Sequence, residues 1–181
     1  MVISALLPLI LMVSCKKAPE KVVVTETREL TMWDQPRLPL IAVMPPEWRQ
    51  IPGTQHRVLN YRFGESGEVY MSNARGGALP NVNRWLGQFG KDALANLDGL
   101  PKVNVLGQQG FLVEATGRFG GGMGKAPRED AALLGVVVDF GSNLFTVKML
   151  GSVEEVNAER ERLINYCEQL RYHDAEASES E

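Results

Sequence analysis

The chain is poor in the residues that most often carry chemistry. Its 181 residues include two histidines, His56 and His173, and two cysteines, Cys15 and Cys167. No set of His, Cys and carboxylate side chains falls at metal-site spacing, so neither a metal nor another cofactor is expected. No serine stands in a Gly-x-Ser-x-Gly elbow. A basic excess is also missing: 22 acidic against 19 basic residues leave a net charge of −3. That is no electrostatic footprint for nucleic acid. Long apolar runs are absent too, and the longest falls short of the roughly 20 residues that span a bilayer.

That run lies at the N-terminus. Residues 1–14 read MVISALLPLILMVS, apolar, uncharged and interrupted by Pro8. A short apolar segment in that place is a processing signal before it is a helix. Ser14 ends it, and Cys15, Lys16 and Lys17 follow. Met12-Val13-Ser14-Cys15 resembles the lipobox of bacterial lipoproteins, with Met12 where that family usually has Leu. No Lys or Arg precedes the apolar run; an upstream start would supply the charge the family carries there. The resemblance implies diacylglyceryl transfer to the Cys15 thiol, cleavage between Ser14 and Cys15, and acylation of the new amine. One acyl chain binds a lipid bilayer marginally, whereas two or three hold it lastingly. Lys16 stands where an Asp would retain many lipoproteins at the inner membrane. By the same resemblance the address is the cell envelope, at the outer membrane facing the periplasm. With Cys15 acylated, Cys167 has no partner for an intramolecular disulfide.

The remainder divides into a tether over 15–27, a single domain over 28–172 and a disordered acidic tail over 173–181. An opening strand is expected around Arg28–Asp34, and a further apolar run, Leu40–Met44, stops at Pro45-Pro46. Trp48 is placed as a lid on the core. Val58–Phe63 and Glu68–Ser72 read as a hairpin across a Gly-bounded loop. In Asn81–Phe89, Val82, Trp85, Leu86 and Phe89 recur at helical spacing, with Asn81 as the cap and Gly90 as the stop. Lys102–Leu106 pairs with Gln109–Gly117, and Leu133–Phe140 with Leu144–Leu150; Gly117–Gly124 is a loop. Ser152–Arg171 is the clearest helix, capped by Ser152, with Val153, Val156, Leu163, Ile164, Cys167 and Leu170 on one face.

Short links between strands require an antiparallel sheet, and apolar helix faces must cover it, so the fold class is α+β: a sheet under a short helix and a long C-terminal helix. Strands ending in LFTVKMLG followed by a closing helix resemble PsbP-like α/β/α sandwich domains. The block Arg75–Gly90, RGGALPNVNRWLGQFG, resembles a segment of uncharacterised envelope proteins. Neither resemblance brings a catalytic motif or a known activity.

Arg75, Gly76, Gly77, Asn83, Arg84 and Trp85 form the candidate surface. The glycines let backbone approach a ligand, and Arg84 points off the face that Trp85 buries. The arginines suit a carboxylate, a phosphate or an acidic protein partner. Gly120–Lys125 is too incomplete for a phosphate loop: Phe119 replaces its first glycine and Ala126 its hydroxyl. Glu68, Glu114 and Asp139 lie on strands, where paired carboxylates would do acid–base work, but no spacing places two together. Cys167 reads as a small core residue. The expectation is a non-enzymatic binding or assembly module of the envelope, with a small hydrolase using the strand carboxylates as the alternative.

Overall fold

A computed structural model describes residues 40–54, 56–120, 126–141 and 143–172. The signal with Ser14 and Cys15, the tether, the expected strand Arg28–Asp34, residues 121–125 of the glycine loop and the tail His173–Glu181 lie outside the described residues.

In chain order the elements are β1 (Leu40–Ile41), β2 (Arg49–Gln50), β3 (Leu59–Phe63), β4 (Gly67–Ala74), α1 (Ala78–Gly87), β5 (Lys102–Val105), β6 (Gln108–Phe119), β7 (Arg128–Asp139), β8 (Leu144–Gly151), α2 (Val153–Gln169) and β9 (Arg171–Tyr172). Seven strands make one sheet in the order β2-β3-β4-β8-β7-β6-β5, and β1 pairs with β9 apart from it. Every pairing is antiparallel. The chain leaves β4 through α1, starts again at the far edge and builds inward. β8 then closes against β4, so Tyr70 faces Lys148 and Ser72 faces Thr146.

Helices on both faces explain the unbroken burial of the central strands. All eight residues of β8 are buried, as is Ala131–Val138 in β7, the pattern of a strand covered on both sides. Met71, Leu134, Val147 and Met149 pack toward Leu163, Tyr166 and Cys167 of α2. Leu133, Val137 and Leu150 pack toward Val82, Trp85 and Leu86 of α1. Gly135 sits beneath α1 because a Cβ there would lie 2.5 Å from the Trp85 ring.

Several boundaries differ from expectation. Helix α1 begins at Ala78 with Gly77 as its cap, so Asn81 is inside it. Pro80 does not prevent this, since N–H groups in a first turn have no helical acceptor. Leu40–Met44 forms only the two-residue β1, and Arg171 leaves the helix to pair with Ile41. Strand β6 runs on to Phe119 through a register shift at Gly117, and β7 starts at Arg128, which moves the connection to residues 120–127. Trp48 is core rather than lid, 2 % exposed. Its indole N–H donates to the buried Glu159 at 2.8 Å, and its ring packs on Tyr61 and Tyr166. Ser152 caps α2 as expected, in a capping box with Glu155. The same carboxylate accepts from the main chain of Glu65 and Ser66, tying the β3–β4 turn to the helix. Partial burial raises its pKa, but the main-chain donors Ser152, Ser66 and Glu65 and the Ser152 hydroxyl outweigh this and hold it at about 2.

Candidate anion-binding groove

Helix α1 covers the β6–β7–β8 part of its face and leaves the β4 side open. The uncovered strip is polar. Tyr70 and Ser72 of β4 and Thr146 and Lys148 of β8 make the floor of a groove of about 580 Å³, and α1 supplies its wall. The strand period puts Thr146 and Lys148 on the same side, two residues apart.

Lys148 is 4 % exposed. Its ammonium donates to Gln88 Oε1 at 2.9 Å and lies 5.2 Å from the centre of the Trp85 ring and 5.9 Å from that of Phe119. Among the described residues no carboxylate forms an ion pair with it. Burial pushes its pKa down to about 8, and the nearby Arg84 guanidinium pushes the same way. Glu68, the acidic group that opposes this, is held by Arg57 at 3.1 Å. Arg57 also stacks 3.8 Å above the Tyr70 ring.

Three expected site residues, Arg75, Arg84 and Trp85, line the groove with Lys148. Arg84 is exposed on the wall, and its guanidinium donates to Asn81 Oδ1 at 2.7 Å. The Asn81 amide donates to the carbonyls of Arg75 and Gly77 at 2.9 and 2.8 Å. One asparagine therefore orients Arg84 and pins the turn that carries Arg75 to the rim. Gly76 and Gly77 make that turn at φ 93° and 78°, values an L side chain resists. Trp85 is buried, lines the groove and presents its ring to Lys148. Asn83 stands apart, its amide exchanging two hydrogen bonds with the main chain of Leu94 at 2.8 and 3.0 Å.

The remaining candidates are scattered. Glu68 pairs with Arg57, Glu114 with Arg160 at 2.7 Å, and Asp139 accepts from the Gly141 N–H. Glu114 faces α2 while Glu68 faces the α1 side, so the three do not converge. Cys167 is fully buried, and burial pushes its thiol pKa far up. Among the described residues no three His, Cys, Asp or Glu side chains stand together as metal ligands, and no helix is long and apolar enough to cross a membrane. A larger hollow of about 790 Å³ lies between the β5–β6 turn and the end of α2. One guanidinium nitrogen of its Arg171 donates to the Glu168 and Leu170 carbonyls.

Sequence reasoning finds Arg75 and Arg84 but misses Lys148, Gln88, Tyr70 and Ser72. One signal was present: Thr146 and Lys148 are the two polar residues of the apolar run LFTVKML, on the same face.

No protein-family model matches the chain, and no curated protein sequence matches it. Among solved structures the chain is similar to LpqN of Mycobacterium tuberculosis, described as involved in cell envelope biogenesis, with 12% identity and a TM-score of 0.47 over 75% of this chain and 83% of that one. It is similar to cyanobacterial PsbP (CyanoP) of Synechocystis sp. PCC 6803, with 10% identity and a TM-score of 0.47 over 75% and 87%. A Bacteroides thetaiotaomicron protein is 10% identical at a TM-score of 0.43 over 76% of this chain, which spans 46% of that one. These are distant likenesses of arrangement, and no function is taken from them.

Proposed function

We propose that this protein is a non-enzymatic binding module of the cell envelope, held to a membrane through acylated Cys15, whose α1–β4–β8 groove takes an anionic group. That group belongs to a small ligand or a partner protein. One observation carries the reading: a buried lysine with a neutral partner forms the floor of an open groove rimmed by Arg75 and Arg84. A buried cation without a counter-charge is costly, and a site that exposes it to an incoming anion gives that cost a use. The envelope address rests on the lipobox resemblance at Met12–Cys15.

The test is a titration of the detergent-solubilised chain with phosphate, succinate and acetate, followed by NMR. The Trp85 indole and the Gln88 side-chain amide are expected to shift, while the Trp48 indole on the other face stays still. If none of the anions moves the groove resonances, the groove is not an anion site.

A further inference from the structure

The cationic groups of the groove come from three directions. Lys148 rises from the sheet, Arg84 projects from the α1 wall, and Arg75 sits on the turn before the helix. Their hydrogen-bond capacity is largely unspent. Lys148 uses one of its three N–H donors on Gln88, and Arg84 uses one of five on Asn81. The Arg75 guanidinium has no partner among the described residues. Planar carboxylate recognition is met by a single two-pronged arginine. Three separate cations around one hollow match a group with more charge and oxygens in more directions.

The hydroxyl pair on the floor adds a second constraint. Thr146 Oγ1 donates to the Ser72 carbonyl at 3.1 Å, and the two hydroxyl oxygens are 2.9 Å apart. Either hydroxyl can donate to the other; in the arrangement where the Thr146 proton stays on the carbonyl, the Ser72 hydroxyl donates to Thr146. In that arrangement Ser72 Oγ offers the groove lone pairs, as an acceptor. Ser72 is half-buried, so the acceptor is reachable. The ligand that suits the three cations and that acceptor is an anion that also carries a hydroxyl proton.

We infer that the groove binds a tetrahedral phosphate, free or as a monoester, with Lys148, Arg84 and Arg75 on its charged oxygens and Ser72 accepting from its P–OH. This deepens the anion reading and rests on it. The groove is open at its mouth, so a monoester's alcohol portion has room to leave.

Isothermal titration of the detergent-solubilised chain at pH 6.5 and constant ionic strength tests this with inorganic phosphate, methyl phosphate, sulfate and succinate. Phosphate is expected to bind at least tenfold tighter than succinate and at least threefold tighter than sulfate, which has no proton to donate. Methyl phosphate, titrated also at pH 5.5 where it carries a P–OH, identifies an ester as the natural ligand if it binds at or above phosphate affinity; weaker binding at both pH values identifies the free ion. Lys148→Met and Arg84→Gln are each expected to lose at least tenfold in phosphate affinity. Arg84→Gln changes an exposed residue, so it decides the matter if Lys148→Met fails to fold. Succinate or sulfate binding as tightly as phosphate overturns the phosphate assignment and leaves the anion groove standing. No heat with any probe, together with unmoved groove resonances, overturns both. Unchanged phosphate affinity in Arg84→Gln overturns the assignment of that residue's role and with it the three-cation geometry.

Discussion

Lys148 costs stability at neutral pH. Lowering its pKa from 10.5 to about 8 corresponds to roughly 3 kcal/mol of penalty on the folded, charged form, at about 1.4 kcal/mol per unit. Its sign follows from linkage. Below about pH 8 both folded and unfolded chains carry the proton, so the penalty is complete. Between about 8 and 10.5 the folded state releases the proton first, and stability rises with pH. Lys148→Met keeps a long side chain against Trp85 and Phe119 and removes the charge. It is expected to stabilise the protein by about 1–3 kcal/mol at pH 7 and to flatten the rise above pH 8. Urea denaturation at pH 7 and pH 9.5 measures both effects. A variant less stable than wild type at pH 7 would show that the Gln88 bond and the ring contacts outweigh desolvation. The residue was not legible as a site in sequence, because a single lysine in an apolar strand does not reveal which neighbours face it.

Among the elements, α1 decides the groove. Its apolar face was legible: Val82, Trp85, Leu86 and Phe89 recur at the helical period, and all four are buried. Its start was not. Asn81 has the chemistry of a cap, yet its side chain reaches back to the carbonyls of Arg75 and Gly77 from inside the helix. Sequence spacing cannot separate a cap from a residue that braces the turn before the cap. Where the helix lies depends on Gly135, which makes room for Trp85 against β7. Gly135→Ala is expected to destabilise the protein by about 1–3 kcal/mol through overpacking and to move the Trp85 indole. Lys148 would lose its ring contact and the groove its wall. Chemical denaturation and the indole resonance of Trp85 report this; an unmoved resonance would mean that the helix is placed by Val82 and Phe89 instead.

Over the whole molecule, charge is segregated. The net charge is −3, yet Arg75, Arg84 and Lys148 gather at one groove, and among the described residues no carboxylate lines it. Composition argued against a polyanion-binding surface and could not disclose a local one, because a sum over the chain discards position. The proposed envelope placement belongs to this scale and rests on Cys15, outside the described residues. Cys15→Ala is expected to abolish incorporation of a fatty-acid analogue and to release the chain from the membrane fraction. Labelling of the variant as strong as that of wild type would remove the lipid anchor from the account.

The antiparallel sheet and its two helices were determined by the sequence alone, since period-two and period-3.6 apolar patterns depend on near neighbours. So were the Ser152 cap and the candidacy of Arg75 and Arg84. The pairing of β4 with β8 was decided only in the tertiary structure. It sets residues seventy or more positions apart side by side, and from it come the polar floor, the buried Lys148 and the Ser72–Thr146 hydroxyl pair. Strand patterns specify which face a residue takes, but not which strand lies next to it. The groove exists at that one non-local boundary, where the helix covers β8 incompletely and leaves β4 open.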